Sequence, residues 1–326
     1  MSYTIDDRVM PVVTREELES SLMELARDVR DPHEGILGPR SVAWKLGGDL
    51  AVFLGGGRAA LLQLAHPMVA FAVDHHSRTR ADVVGRFQRT FRNVFAMVFG
   101  ELDEAFTAAR RVHSIHTRIH GEIPHQIGGW RAGTPYYAND VDALRWVHAT
   151  LVDTTIAVRE RLDGALPSAL KDTYIVEMNR FGALFGIARD RLPDSWAAHE
   201  SYMQRMLGSD LLAVAPCAKE MATFLMGRTE GHAQPPLGRF AEALTATMLP
   251  KHLARDFGLQ RTTLSTTGVQ LALSAFAPIY RRVPTRYVAI PARSMATRRL
   301  RGQGPSRFAS WTERQLFGLS RQVTGS

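Results

Sequence analysis

Within Arg110–Gly121, His113, His116 and His120 recur at spacings of three and four. If that stretch is helical, all three imidazoles leave one face of one helix. Neutral imidazole is the commonest protein ligand for iron, zinc and copper, and additional histidines can shuttle protons. One such residue alone reads as part of a polar face; three of the chain's 12 histidines together point to a bound metal or haem. Two further positions bear on the same chemistry. His66 lies within the apolar run Leu61–Val73 directly before Pro67. There it either hydrogen-bonds a carbonyl that the proline leaves free or reaches into a cofactor cavity. Arg86, Arg89 and Thr90 also share a helical face, in a segment otherwise rich in Phe and Val. Two guanidiniums turned inward must meet carboxylates, a bound anion or water.

Several chemistries lack their residues. Cys217 is the single cysteine, which excludes an internal disulfide framework and a cysteine-rich metal site. The one Glu-x-x-His, Glu122 to His125, is broken by Pro124, so a ferritin-like di-iron pair is not expected. His-Glu-x-x-His, Gly-x-Gly-x-x-Gly, a phosphate-cradling loop and Gly-x-Ser-x-Gly are all missing. Gly55–Gly57 before Arg58 could bind an anion, although no strand precedes it. A histidine-rich, carboxylate-poor inventory favours haem over a bare dinuclear metal.

The elements that must hold these residues read as helices. Segments 16–29, 41–54, 58–73, 81–99, 102–120, 140–162, 167–191, 195–207, 210–227, 236–249, 254–282 and 308–323 carry helical apolar spacing, caps or Pro and Gly boundaries. Pro67 is expected to kink the third of them, and 121–135 reads as a loop. Strand alternation, internal repeats and linkers are absent, so residues 1–326 read as a single all-α, multi-helix globular domain. No stretch is long and apolar enough for a spanning helix, no secretory leader is visible at the start, and the expected compartment is cytoplasmic. The net charge of +8 comes from 36 arginines and only four lysines. Arginines crowd the region 281–326, which reads as a solvated basic surface grazing a membrane; no nucleic-acid motif accompanies it, and no nucleic-acid partner is expected.

The order of the motifs resembles that of the MpaB-like oxygenases, relatives of the latex-clearing rubber oxygenases. The resemblance rests on Gly56–Ala70 (with Arg58, Gln63, His66 and Pro67), His76-Ser77, Arg86-x-x-x-Thr90, Phe99-Gly100, His116-x-x-Ile-x-Gly121 and Tyr137–Ala149, and covers about residues 40–280. It implies a globin-like helical core, a b-type haem, and oxidative cleavage of a C=C bond in an apolar, isoprenoid-type substrate with dioxygen. It further implies that His116 is the axial iron ligand and that Arg86 and Thr90 act beside the haem. Two positions depart from the pattern: Arg89 stands where the rubber oxygenases carry a distal lysine, and His120 where they carry an arginine. The candidate catalytic residues are therefore Arg86, Arg89 and Thr90, and the candidate haem contacts His116, His120, His66 and Arg86. The alternatives are a non-catalytic helical protein that binds lipid or another small molecule, and a non-haem metal enzyme using the same histidines.

Overall fold

Helix starts in this chain are written in local chemistry, and the backbone follows them. Thr14 caps the first helix, α1 (Arg15–Asp28), through a reciprocal pair: Glu17 N–H donates to Thr14 Oγ1 at 3.1 Å and Thr14 N–H to Glu17 Oε2 at 2.7 Å. Asp140 and Ser195 cap two later helices through the side chain alone, accepting from Ala143 N–H and Ala198 N–H. The computed structural model describes residues 11–75, 83–228 and 234–304, with the backbone alone at 83–87. Along these run α2 (Val42–Gly47), α3 (Gly56–Leu64), α4 (Pro67–His75), α5 (Val83–Phe99), α6 (Leu102–His116), α7 (Val141–Asp163), α8 (Ser168–Ala183) and α9 (Trp196–Leu207). They continue with α10 (Pro216–Leu225), α11 (Pro236–Met248), α12 (Lys251–Asp256), α13 (Thr263–Tyr280), α14 (Thr285–Val288) and α15 (Pro291–Leu300). The fold is all-α apart from two three-residue strands, β1 (His120–Glu122) and β2 (Pro135–Tyr137), which pair antiparallel with His120 opposite Tyr137. None of the described helices is long and apolar enough to cross a membrane.

The longest helix, α7, is the common wall of the interior. Leu144, Val152 and Ile156 join the core packed by α1, α5, α6 and α8. Trp146 and Ala149 face a second core built on α3 and α4, and Val158 and Leu162 a third under α13. Trp146 is fully buried, and its indole N–H donates to Leu62 O at 2.9 Å, so the ring contributes its apolar area without leaving a donor stranded.

Four expectations are corrected. Pro67 does not kink a continuous helix; it opens α4, where its missing N–H belongs, and α3 stops at Leu64. The carbonyl that Pro67 leaves without a donor, Gln63 O, accepts from the His66 backbone N–H at 3.1 Å, not from its ring. The stretch 254–282 is two helices, because Gly258 takes φ +71° after α12 and Thr262 starts a new capping box for α13. Likewise 167–191 ends its helix at Ala183, before Gly186 with φ +74°. Finally, α6 ends at His116 rather than His120; the expected loop holds over 123–134, but its ends pair as β1 and β2, which draws His120 into β1. The segment 308–323 lies outside the described residues.

Candidate functional site

The end of α6 is tied down by its own carbonyls. Thr117 Oγ1 donates to His113 O at 2.9 Å, and Asn139 Nδ2 donates to His113 O at 3.2 Å and to Thr117 Oγ1 at 3.1 Å. Ala138 N–H then donates to Ile119 O at 2.9 Å and hands the chain to β1. This closure explains why His113, His116 and His120 do not share one helical face. Three different situations result. His113 is buried, and its Nε2–H donates to Val13 O at 2.9 Å, which commits that nitrogen to the scaffold. His116 is half-buried, and His120 is exposed on β1 with its ring 6.3 Å from that of Tyr137.

The two outer histidines nevertheless share a cavity. An open groove of about 670 Å³ runs between the extended segment Val12–Arg15, the last turn of α6 and the β-hairpin. His113, His116, Thr117, Arg118, His120, Tyr137 and Asn139 line it. Its size lies within the range of ligand and cofactor pockets. Sequence reasoning missed Val12–Arg15, Tyr137 and Asn139. Tyr137 and Asn139 entered the sequence reading only within the motif Tyr137–Ala149 (Asn139 also as a helix cap), and nothing local relates residue 13 to residue 113.

Helices α5 and α6 are joined by only Gly100 and Glu101, so they run antiparallel and residues equidistant from that turn lie level. Arg86, on the backbone of α5, is level with Ile115, next to His116; Arg89 and Thr90 lie within a turn of His113. Arg89 and Thr90 are exposed on α5 and are not part of the groove's lining. The side chain of Arg86 lies outside the described residues.

His66 sits elsewhere, in the second core. It is 3 % exposed, its ring meets Trp130 edge-on at 5.2 Å, and its Nδ1 has no hydrogen-bond partner among the described residues. Burial pushes its pKa down from 6.5 to about 4, so it is a neutral imidazole.

A second polar cluster, also missed, lies beneath α3. Arg58 is 8 % exposed; its guanidinium donates to Asp153 Oδ2 at 2.5 Å, Thr154 Oγ1 at 2.7 Å and Met248 O at 3.0 Å. His199 Nε2 stands 3.5 Å from the other Asp153 oxygen. Burial raises the Asp153 pKa, but His199 and Arg58 outweigh it and hold the carboxyl below its ordinary range. The signal for this pair was an aspartate in the middle of a helical segment, between Val152 and Ile156. Two of the glycines before Arg58 serve close packing: a Cβ on Gly55 would come within 2.3 Å of Thr154 Cγ2, and one on Gly57 within 2.2 Å of Thr245 Oγ1.

Among the described residues, no three His, Cys, Asp or Glu side chains gather closely enough to hold a metal ion. A haem makes a smaller demand, since the porphyrin supplies four nitrogens and the protein need offer one imidazole. A half-buried His116 in a groove wall fits that demand. Residues 44–282, well over half of the chain, match the family model described as "ER-bound oxygenase mpaB/B'/Rubber oxygenase, catalytic domain". Comparison with curated proteins gives no match, and neither does comparison with solved structures.

Proposed function

The chain belongs to the mpaB and rubber oxygenase family and is an oxygenase, and from that premise we propose a haem b-dependent enzyme that cleaves a C=C bond of an apolar, isoprenoid-type substrate. An oxygenase needs a substrate and dioxygen; the finer choices rest on the donor set. The supporting observation is the pairing of one half-buried imidazole, His116, with an open groove of about 670 Å³. Bound haem would supply dioxygen activation at its iron.

The chain's own groups have distinct tasks in this reading. His116 would hold the haem through its imidazole, and His113 holds the last turn of α6 by donating to Val13 O. Arg86 would donate hydrogen bonds where negative charge develops, a place where a preorganised donor counts most; Arg89 and Thr90, exposed on α5 outside the groove's lining, would meet only the cofactor's solvent-side carboxylates. His120 is the further contact, at the groove mouth; His66, buried in the second core against Trp130, does not line this groove. The apolar helices α3, α4 and α5 exclude water from the substrate.

Reconstitution tests the assignment. Purified protein supplied with haem is expected to show a Soret band, with iron and porphyrin near one equivalent. His116→Ala should abolish it, while His120→Ala keeps most of it. Full haem retention in His116→Ala would overturn the axial role.

A further inference from the structure

Helix α13 has an unusual distribution of side chains. It contains no charged residue from Thr263 to Tyr280. Val269, Leu273 and Ala277 form its only buried stripe and cover the third core. The opposite stripe is also apolar: Leu264, Gly268, Leu271 and Ala275 lie at spacings of four, three and four, so they line one face. Leu264 is 84 % exposed, Leu271 66 % and, beside them, Ile279 65 %. A helix apolar on both sides and buried on one has a second partner to find.

Charge identifies that partner. Between Asp256 and Glu313 the chain has nine arginines and no acidic residue. Arg281, Arg282 and Arg286 are exposed where α13 ends and α14 begins, and Arg282 continues the apolar stripe. The described residues give these three no carboxylate; Arg281 and Arg282 lean on the last carbonyls of α13, and Arg286 lies over the Tyr287 ring, itself 61 % exposed. A second copy seated on this face would set arginines against arginines with no acid in the stretch to answer them. A nucleic acid would satisfy the arginines but not the leucines. We propose that the outer face of α13, with Arg281, Arg282, Arg286 and Tyr287, docks on an anionic lipid surface. The apolar stripe enters the acyl boundary and the arginines meet the headgroups, the arrangement of an interfacial helix that lies on a membrane without crossing it. Docking does not depend on the haem assignment, although an enzyme with an apolar substrate gains by it.

Sedimentation of the full chain with vesicles tests this without any activity readout. Phosphatidylcholine vesicles containing phosphatidylserine should bind the protein, vesicles of phosphatidylcholine alone should bind it far less, and added salt should release it. Removing the paired charges, Arg281→Gln with Arg282→Gln, should weaken binding by about fivefold per arginine. Leu271→Glu with Ile279→Glu should weaken it by tenfold or more, since each loses the burial of a large side chain. Circular dichroism should show both variants folded, as all four positions are exposed. Absence of vesicle binding, or equal binding by wild type and both variants, overturns the proposal. So does a wild-type dimer that Leu271→Glu dissociates, which would make the face a contact between two copies of this chain.

Discussion

Arg58 illustrates what a single residue must satisfy to carry charge into this interior. Its guanidinium spends three donors on Asp153, Thr154 and Met248 O, and Asp153 in turn faces His199. Arg58→Ala strands Asp153 among apolar neighbours and should cost about 3–5 kcal/mol of stability. Replacing both partners at once, as in Arg58→Met with Asp153→Leu, should cost less than the single change, because no charge is left unpaired. Urea melts of the two variants decide; equal losses would mean the pair is not a unit. The arginines of α5 make a different case. Arg89 is exposed, so Arg89→Ala should leave the melt within about 0.5 kcal/mol of wild type. Arg86→Ala should likewise spare folding but cut turnover by about 10²–10³, the effect of removing a preorganised donor beside developing charge. Oxygen-consumption assays with normal turnover in Arg86→Ala would remove that residue from the site. Spacing alone grouped His113, His116 and His120 on one helical face, which the end of α6 at His116 breaks; His116 was singled out by the resemblance to the oxygenase family. That His113 is instead a scaffold residue was not legible, since its partner, Val13 O, lies a hundred residues away.

The same contrast holds for whole elements. Caps and prolines act within four residues, so the starts of α7, α9 and α11 were readable to within a residue from Asn139-Asp140, Asp194-Ser195 and Pro235-Pro236, whereas the Thr14 box of α1 was not read. The split between α12 and α13 was also written locally, in Gly258 and the Thr262–Ser265 box, but an apolar run on either side masks it. The three-residue strands fall below any detectable alternation and exist only because the hairpin closes on α6. Gly55–Gly57 was legible as a break yet not as a packing device. Gly57 lies in α3 with Thr245 of α11 against it, whereas Gly56 faces open space in the same helix. Gly57→Ala should therefore destabilise by about 1–3 kcal/mol through overpacking. Gly56→Ala should stabilise by about 0.5–1 kcal/mol, since only backbone entropy changes. Thr245→Ala should recover part of the Gly57→Ala loss. Thermal melts of these variants with the same sign at both glycines would mean that α3 and α11 do not approach as closely as described.

At the scale of the molecule, the separate cores make acid stability a shared property. His66 belongs with the core on α3 and α4, while His148 of α7 stacks on Phe181 in the core on α8 and donates its Nε2–H to Met178 O at 2.9 Å. Burial lowers both pKa values from 6.5 to about 4; for His148 the bond to Met178 O offsets only part of the shift. The folded state therefore resists a proton that the unfolded chain accepts. Above pH 6.5 neither state is protonated at these sites, and stability is at its full value. As the pH falls from 6.5 towards 4 the unfolded chain binds protons first, so stability drops, and below about 4 the loss levels off. Each histidine accounts for about 3 kcal/mol across that window. Asp153 works in the same direction at lower pH: its folded pKa is depressed, so its contribution fades only once the pH passes below its ordinary value of 3.8. Urea denaturation between pH 7 and pH 4 should thus show a decline close to two protons steep, and His66→Leu should remove about half of the slope. Because the two histidines sit in different cores joined by α7, His148→Leu should remove the other half independently. A flat profile in the wild type, or a slope unchanged in both variants, would mean that neither imidazole is held neutral by burial.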